Sequence, residues 1–247
     1  MKNKQTTNRE YVANTWNELL ALVKGLRGEL PNRQVWFRGQ SNAAYALLPG
    51  LYRNTTIVTK ELWLFQKFRQ LSLRVFPRRT EDWEALFDMQ HYGLPTRLLD
   101  WSENLGISAF FAARYNRNAS QAAIYILDPL ALNEYSGINK IPFVPDDKDI
   151  DYRSIFLEKR PFAPKYPIAI EPVFANDRML AQRGMFTVHG DDITPIERLC
   201  PKAVKRIVLA QSAIPEVLDF LETANINEYT VYPDMLGIAD YLRRTLL

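Results

Sequence analysis

Apolar positions recur at helical spacing early in the chain, where Trp16, Leu19, Leu20, Val23 and Leu26 follow Thr15 and run to Gly28. Thr15 with Glu18 three residues on has the spacing of a capping box. A short apolar run at 34–37 predicts a buried strand, and 41–54 reads as a loop with apolar anchors that turns at Pro49 and Gly50. Thr59 is placed to cap a helix to about Phe76, with Leu62, Phe65, Phe68 and Leu71 as its stripe. Thr80 is placed to cap another that aligns Trp83, Phe87 and Gln90 or His91 and stops at Gly93. Residues 94–101 read as extended, and Ser102 as the N-cap of a helix with Leu105, Ala109, Ala112 and Ala113 on its apolar side. Apolar or alternating runs at 123–127, 168–174, 185–189 and 204–210 predict strands. The segment 133–167, rich in Pro, Asp and Lys, reads as an irregular excursion over the surface. Pro215 starts a helix through Thr223, and Asp234 caps a last one with Leu236, Tyr241, Leu242 and Leu246 on its apolar side.

This order predicts an α+β fold in one domain over 1–247, with a helical segment at 1–33 and a central mixed or split sheet of about five or six strands flanked by helices. With 247 residues, 47% hydrophobic and 24% charged, the chain has enough apolar residues for a sizeable core and is not compositionally disordered. No stretch approaches the roughly 18 apolar residues of a membrane span, and MKNKQTTNRE lacks the apolar core of a signal peptide, so a soluble, cytoplasmic protein is expected. The single cysteine, Cys200, excludes an internal disulfide framework, and with only His91 and His189 beside it a Cys/His zinc site is short of ligands. A net charge of +3 does not by itself imply nucleic acid. Lys60, Lys67, Arg69, Arg74, Arg78 and Arg79 form a basic run interleaved with aromatics, open to two readings: an electrostatic footprint or a solvated helix face.

Candidate chemistry gathers in two places. The run 89–113, MQHYGLPTRLLDWSENLGISAFFAA, sets His91, Arg97 and Asp100 among residues that otherwise read as core, where polar groups must be paired. The short strand at 35–40, VWFRGQ, ends on Arg38 and Gly39. Arg38 at a strand end is able to hold a phosphate or carboxylate bidentately, with Gly39 letting a ligand approach the backbone; a structural ion pair beside a turn glycine is the other reading. Arg97 and Asp100 do not share a simple strand face, so one can serve structure while the other faces a pocket. His91, at a helix end, is a candidate general base or a satisfied core histidine. In NDRMLAQRGMFTVHG, Arg178, Gln182, Gly184 and Phe186 repeat the pattern of polar groups and a glycine before a strand; Gln182 has the donor and acceptor to bind a ribose or amide, or to tie down a loop. No GxGxxG, GxxxxGK, GxSxG or HExxH is present, and Cys200 has no nearby His to activate it.

Three stretches, WFRGQ at 36–40, QHYGLPTRLLDWSEN at 90–104 with AFFAA after it, and RMLAQRGMFTVHG at 178–190, resemble the FRG domain family, named for its Phe-Arg-Gly motif. That resemblance implies a domain found mainly in bacterial and phage proteins, with toxin or defence roles among the expectations. The same residues also fall in an order similar to that of ADP-ribosyltransferases: a first strand ending Arg-Gly, a strand with Trp101 and Ser102 running into a helix, and Gln182 before a late strand. The second resemblance implies an ADP-ribosyltransferase-like fold with NAD as cofactor. Arg38 would bind ribose and phosphates, Gly39 the nicotinamide amide, with Gln40, Arg97, Trp101 and Ser102 also at the cofactor. Gln182 would take the position of the catalytic acid, with His91 and Asp100 as further catalytic candidates. Glutamate usually fills that position, and glutamine lacks its charge; Glu171 on the preceding strand is a substitute. The expected activity is ADP-ribosyl transfer to a protein or nucleic-acid acceptor, and the alternatives are a non-catalytic nucleotide- or nucleic-acid-binding regulatory module and a regulatory protein whose motif residues are all structural.

Overall fold

An eight-stranded sheet in the order β1-β8-β4-β2-β3-β7-β6-β5 organises the chain. The computed structural model describes residues 11–75, 81–116, 120–162 and 164–247. In chain order the first elements are β1 (Tyr11–Ala13), α1 (Trp16–Glu29), β2 (Trp36–Gln40), α2 (Thr55–Val58), α3 (Glu61–Ser72), α4 (Asp82–His91), β3 (Leu98–Ser102) and α5 (Leu105–Ala113). Then come β4 (Ala122–Leu127), α6 (Pro129–Tyr135), β5 (Phe143–Val144), β6 (Ile168–Pro172), α7 (Asp177–Ala181) and β7 (Gly184–Val188). The chain closes with α8 (Ile196–Leu199), β8 (Val204–Leu209), α9 (Ile214–Thr223), α10 (Glu228–Val231) and α11 (Met235–Leu246). The sheet is mixed: β1 with β8 and β5 with β6 run parallel, and the other neighbours are antiparallel. It is larger than the five or six strands expected, because β1 and β5 are edge strands of three and two residues, too short to carry an alternation.

Two halves of this sheet meet at a weak seam. β2 is fully paired with β4, and β3 with β7, but β2 and β3 pair at one position, Phe37 with Ser102. Over one face of the first half, Phe37, Ile124, Ile126 and Ile207 pack under α1, α5 and α9. Over the second half, Leu98, Ile168, Phe186 and Val188 pack under α3, α4 and the turn of helix at Tyr152–Leu157. The opposite face carries one continuous core that includes Trp36, Leu99, Trp101, Tyr125 and Leu127. The two cover blocks on the first face belong to different parts of the chain, and the seam runs between them. Residues 133–167, read from the sequence as a surface excursion, place Val144, Ile150, Tyr152, Ile155 and Phe156 in the core beneath α4.

Several local readings need correction. Thr15 Oγ1 accepts from Glu18 N at 3.1 Å, but the Glu18 carboxylate reaches past Thr15 to Asn14 N at 2.7 Å, so the box is half formed. Thr59 does not start α3; its hydroxyl donates to the Thr56 carbonyl at the end of α2, and Lys60 precedes α3 without a side-chain cap. Thr80, Phe76, Arg78 and Arg79 lie outside the described residues. Ser102 is the last residue of β3, and Asn104 caps α5 by accepting from Gly106 N at 2.8 Å. Gly93 does end α4: with φ +76° it lets its own N–H reach Gln90 O and that of Leu94 reach Met89 O, the paired bonds of a Schellman turn. No helix among the described residues is long and apolar enough to cross a membrane.

Candidate functional site

Where β2 and β3 cease to pair, a cleft of about 260 Å³ opens, lined by Arg38, Arg53, Gln90, Leu98, Leu99 and Asp100 with Gly50 and the Gly93–Pro95 turn. The polar group at its centre is Arg38. Its Nη1 donates to the Asp100 carbonyl at 2.5 Å, an acceptor that an N–H of a neighbouring strand would ordinarily satisfy. A guanidinium thus replaces a rung of the sheet ladder. The guanidinium makes no other hydrogen bond within 3.5 Å among the described residues, and its Nε is buried without a partner. The side chain is 18% exposed, and burial, with Arg53 adding like charge, pulls its pKa below the ordinary value against the opposing pull of Asp100.

A short relay positions the carboxylate of Asp100. Thr96 Oγ1 donates to Gln90 Oε1 at 2.6 Å, which fixes the amide so that Gln90 Nε2 donates to Asp100 Oδ2 at 2.8 Å. The same oxygen stands 3.7 Å from Arg38 Nη1, and the carboxylate is 50% exposed. Arg53 adds a second guanidinium, anchored by Nε to Leu48 O at 3.0 Å. Two cations against one carboxylate leave the cleft net positive, in partly desolvated surroundings where charge counts for more than in water.

The three residues of the Phe-Arg-Gly motif do three different things. Phe37 is buried in the core under α1 and α5, and Arg38 lines the cleft. Gly39 is not among the residues lining the cleft, and what requires glycine there is packing. A Cβ there would overlap the Ser108 carbonyl oxygen and lie 2.9 Å from Ala112 N, so the glycine lets α5 press directly on β2. Gln40 is buried, with Nε2 to Ala46 O at 3.5 Å, and holds the loop after β2.

Other candidates are drawn into the framework. Arg97, proposed for cofactor binding, spends its fork on Glu61 and on His189 O at 2.8 Å, and its guanidinium lies 5.5 Å from the Phe156 ring centre. Burial opposes its charge, but Glu61 more than offsets this and its pKa stands above the ordinary value. Trp101 is buried in the opposite core with Nε1 to Thr187 Oγ1 at 3.1 Å. Ser102 is buried, donating to Gln182 O at 2.7 Å and accepting from Asn104 N at 2.9 Å. None of these three lines the cleft: Trp101 alternates with Asp100 onto the opposite face of β3, while Arg97 and Ser102 are enclosed by their own partners. Gln182 caps the end of α7 and gives Nε2 to Val231 O at 3.1 Å; it is not among the cleft residues. Glu171 accepts from Gln34 Nε2 at 2.9 Å, also away from the cleft. His91 ends α4 edge-on to Tyr92, and its carbonyl accepts from Arg178 Nη1 at 3.3 Å. Cys200 is buried, which pushes its thiol pKa up. Of the basic run, Arg69 pairs with Asp82, and Lys67 with Gln70 at 2.9 Å.

The structure therefore brings Arg38 and Asp100 together and adds Arg53 and Gln90, which the sequence reading did not assign to a site. Gln90 stood in the quoted motif ten residues before Asp100, the signal that would have found it; Arg53 stood in a loop with no periodicity to place it.

Fold and site together define an α+β protein whose sheet is split around a cationic cleft. Residues 33–121, from the approach to β2 to the approach to β4, match the family model of the FRG domain. Every cleft-lining residue falls inside that match, and Gln182 falls outside it. Comparison with curated proteins gave no match, and comparison with solved structures gave none.

Proposed function

We propose that this protein binds a small phosphate-bearing ligand of the nucleotide class in the cleft between β2 and β3, with Arg38 as the principal anion contact. The observation that carries the reading is Arg38 itself: a mostly buried guanidinium, held at one nitrogen, with Nε unpartnered and Arg53 beside it. A cation desolvated without a full set of partners is costly, and an anion seated against it recovers that cost. NAD fits only in part, since a cleft of about 260 Å³ is below the usual range of about 300–1,000 Å³ for sites that enclose a drug-sized ligand. Arg38 and Arg53 would hold a phosphate of the dinucleotide, and the rest would lie outside.

Thermal or urea unfolding with adenosine 5′-monophosphate or NAD tests this. Ligand at a hundred times its Kd adds about 2.7 kcal/mol to stability. The gain is expected to disappear in Arg38→Ala and to shrink as salt is raised. An equal gain in the variant, or none in the wild type, contradicts the proposal.

A second reading, NAD-using ADP-ribosyl transfer, is favoured by one feature: the half-exposed Asp100 carboxylate beside Arg38 supplies the negative charge that Gln182 lacks. Nicotinamide release from NAD that stops in Asp100→Asn, while the variant still binds NAD, supports transfer. Binding without release leaves a recognition module.

A further inference from the structure

Resting on the nucleotide-class reading, we infer that Asp100 reads a hydroxyl group beside the bound phosphate, so that the site selects a phosphorylated ribose over a bare anion or a deoxy sugar. A cleft built only to hold phosphate has no use for a carboxylate, which repels it. This one nevertheless keeps Asp100 half exposed, 3.7 Å from Arg38 Nη1. Its orientation is set by two hydrogen bonds in series, Thr96 to Gln90 and Gln90 to Oδ2. Oδ1 has no hydrogen-bond partner among the described residues. A fixed acceptor next to a fixed cation asks for a ligand that is anionic at one point and donates a hydrogen bond a few ångströms away.

Two donors are compatible with that pattern, a hydroxyl and an ammonium, and electrostatics separates them. An ammonium on Asp100 would stand close to the Arg38 guanidinium and share one carboxylate with it, with Arg53 adding a third positive charge to the cleft. A neutral hydroxyl meets no such repulsion. The volume agrees: about 260 Å³ holds a sugar and its phosphate and leaves a base or a second nucleotide outside. Gln90 is then a positioning residue: it aims the carboxylate, and both lie within the segment that matches the FRG domain.

Calorimetric titration of the full chain with adenosine 5′-monophosphate, its 2′,3′-dideoxy analogue and inorganic phosphate tests the inference. The ribonucleotide is expected to bind about tenfold more tightly than the dideoxy form, the loss of one charge-assisted hydrogen bond at a partly exposed group. Asp100→Ala, at a half-exposed position, should bring the two nucleotides to within about twofold of each other while phosphate binding persists or strengthens. Gln90→Met should narrow the ratio without weakening phosphate, which loss of fold would not do. Equal affinities for the two nucleotides in the wild type, or an unchanged ratio in Asp100→Ala, overturns the inference but leaves anion binding through Arg38 standing. Failure of every probe to bind the wild type overturns both.

Discussion

At the scale of single residues, Gly39 and His189 make the clearest demands. Gly39 sits where any Cβ would run into the backbone of α5, and backbone moves less readily than a side chain. Gly39→Ala is expected to cost about 3 kcal/mol, at the upper end for overpacking, read as a lowered urea midpoint with little change in slope. A loss under about 0.5 kcal/mol would show that α5 does not press on β2 as described. His189 is fully buried with neither ring nitrogen in a well-formed hydrogen bond among the described residues, and burial, helped by the charge of Arg97 and opposed by the Leu47 backbone, holds its pKa down at about 3. The ordinary value is 6.5, so between about pH 6.5 and 3 the unfolded chain carries a proton that the folded chain does not. Stability must then fall as pH drops through that window, by up to about 1.4 kcal/mol per pH unit. Between pH 6.5 and 5, above the range of ordinary carboxylates, His189→Leu should show a flatter pH dependence than the wild type in denaturant titrations. Parallel curves would mean that His189 keeps its proton in the fold.

At the scale of elements, the end of α4 positions the site. The Schellman turn at Gly93 places Gln90 in the last turn of the helix and directs the chain back into β3, so Gln90 and Asp100 face each other. No atom crowds a Cβ at Gly93, so the cost of Gly93→Ala comes from φ +76° alone. That cost is about 1–2 kcal/mol, and thermal unfolding measures it. A neutral substitution would mean that the turn does not require left-handed backbone. The glycine stop and the apolar stripe of α5 were legible in the sequence because each rests on a local rule. The caps at Thr59 and Ser102 were misread for different reasons: Thr59 closes α2, a short helix begun by Asn54, and α3 starts without a side-chain cap, whereas at α5 Asn104 takes the cap two residues beyond Ser102. Strands β2, β3, β4, β6, β7 and β8 announced themselves by runs of apolar residues; β1 and β5 did not, being held by one neighbour each at the sheet edges.

At the scale of the whole molecule, what joins these parts is the gap in the sheet. Sequence reading placed Arg38 at a strand end, whereas it is the middle residue of β2, and left Asp100 between a structural and a functional role; the fold brings the two together across the seam. Arg97, Trp101 and Ser102 looked equally chemical on paper, but their partners Glu61, Thr187 and the Gln182 carbonyl come from distant parts of the chain, so their enclosure was not readable from local pattern. The account rests on the claim that the unpaired stretch of β2 and β3 exists to hold an anion on Arg38. Calorimetric titration of NAD into the wild type and Arg38→Ala, with circular dichroism confirming that both are folded, tests it most directly. The account predicts saturable, salt-sensitive binding to the wild type and a loss of about a hundredfold or more in the variant, the effect of removing a charge-assisted contact worth about 3 kcal/mol. Equal affinity for the two proteins would contradict it.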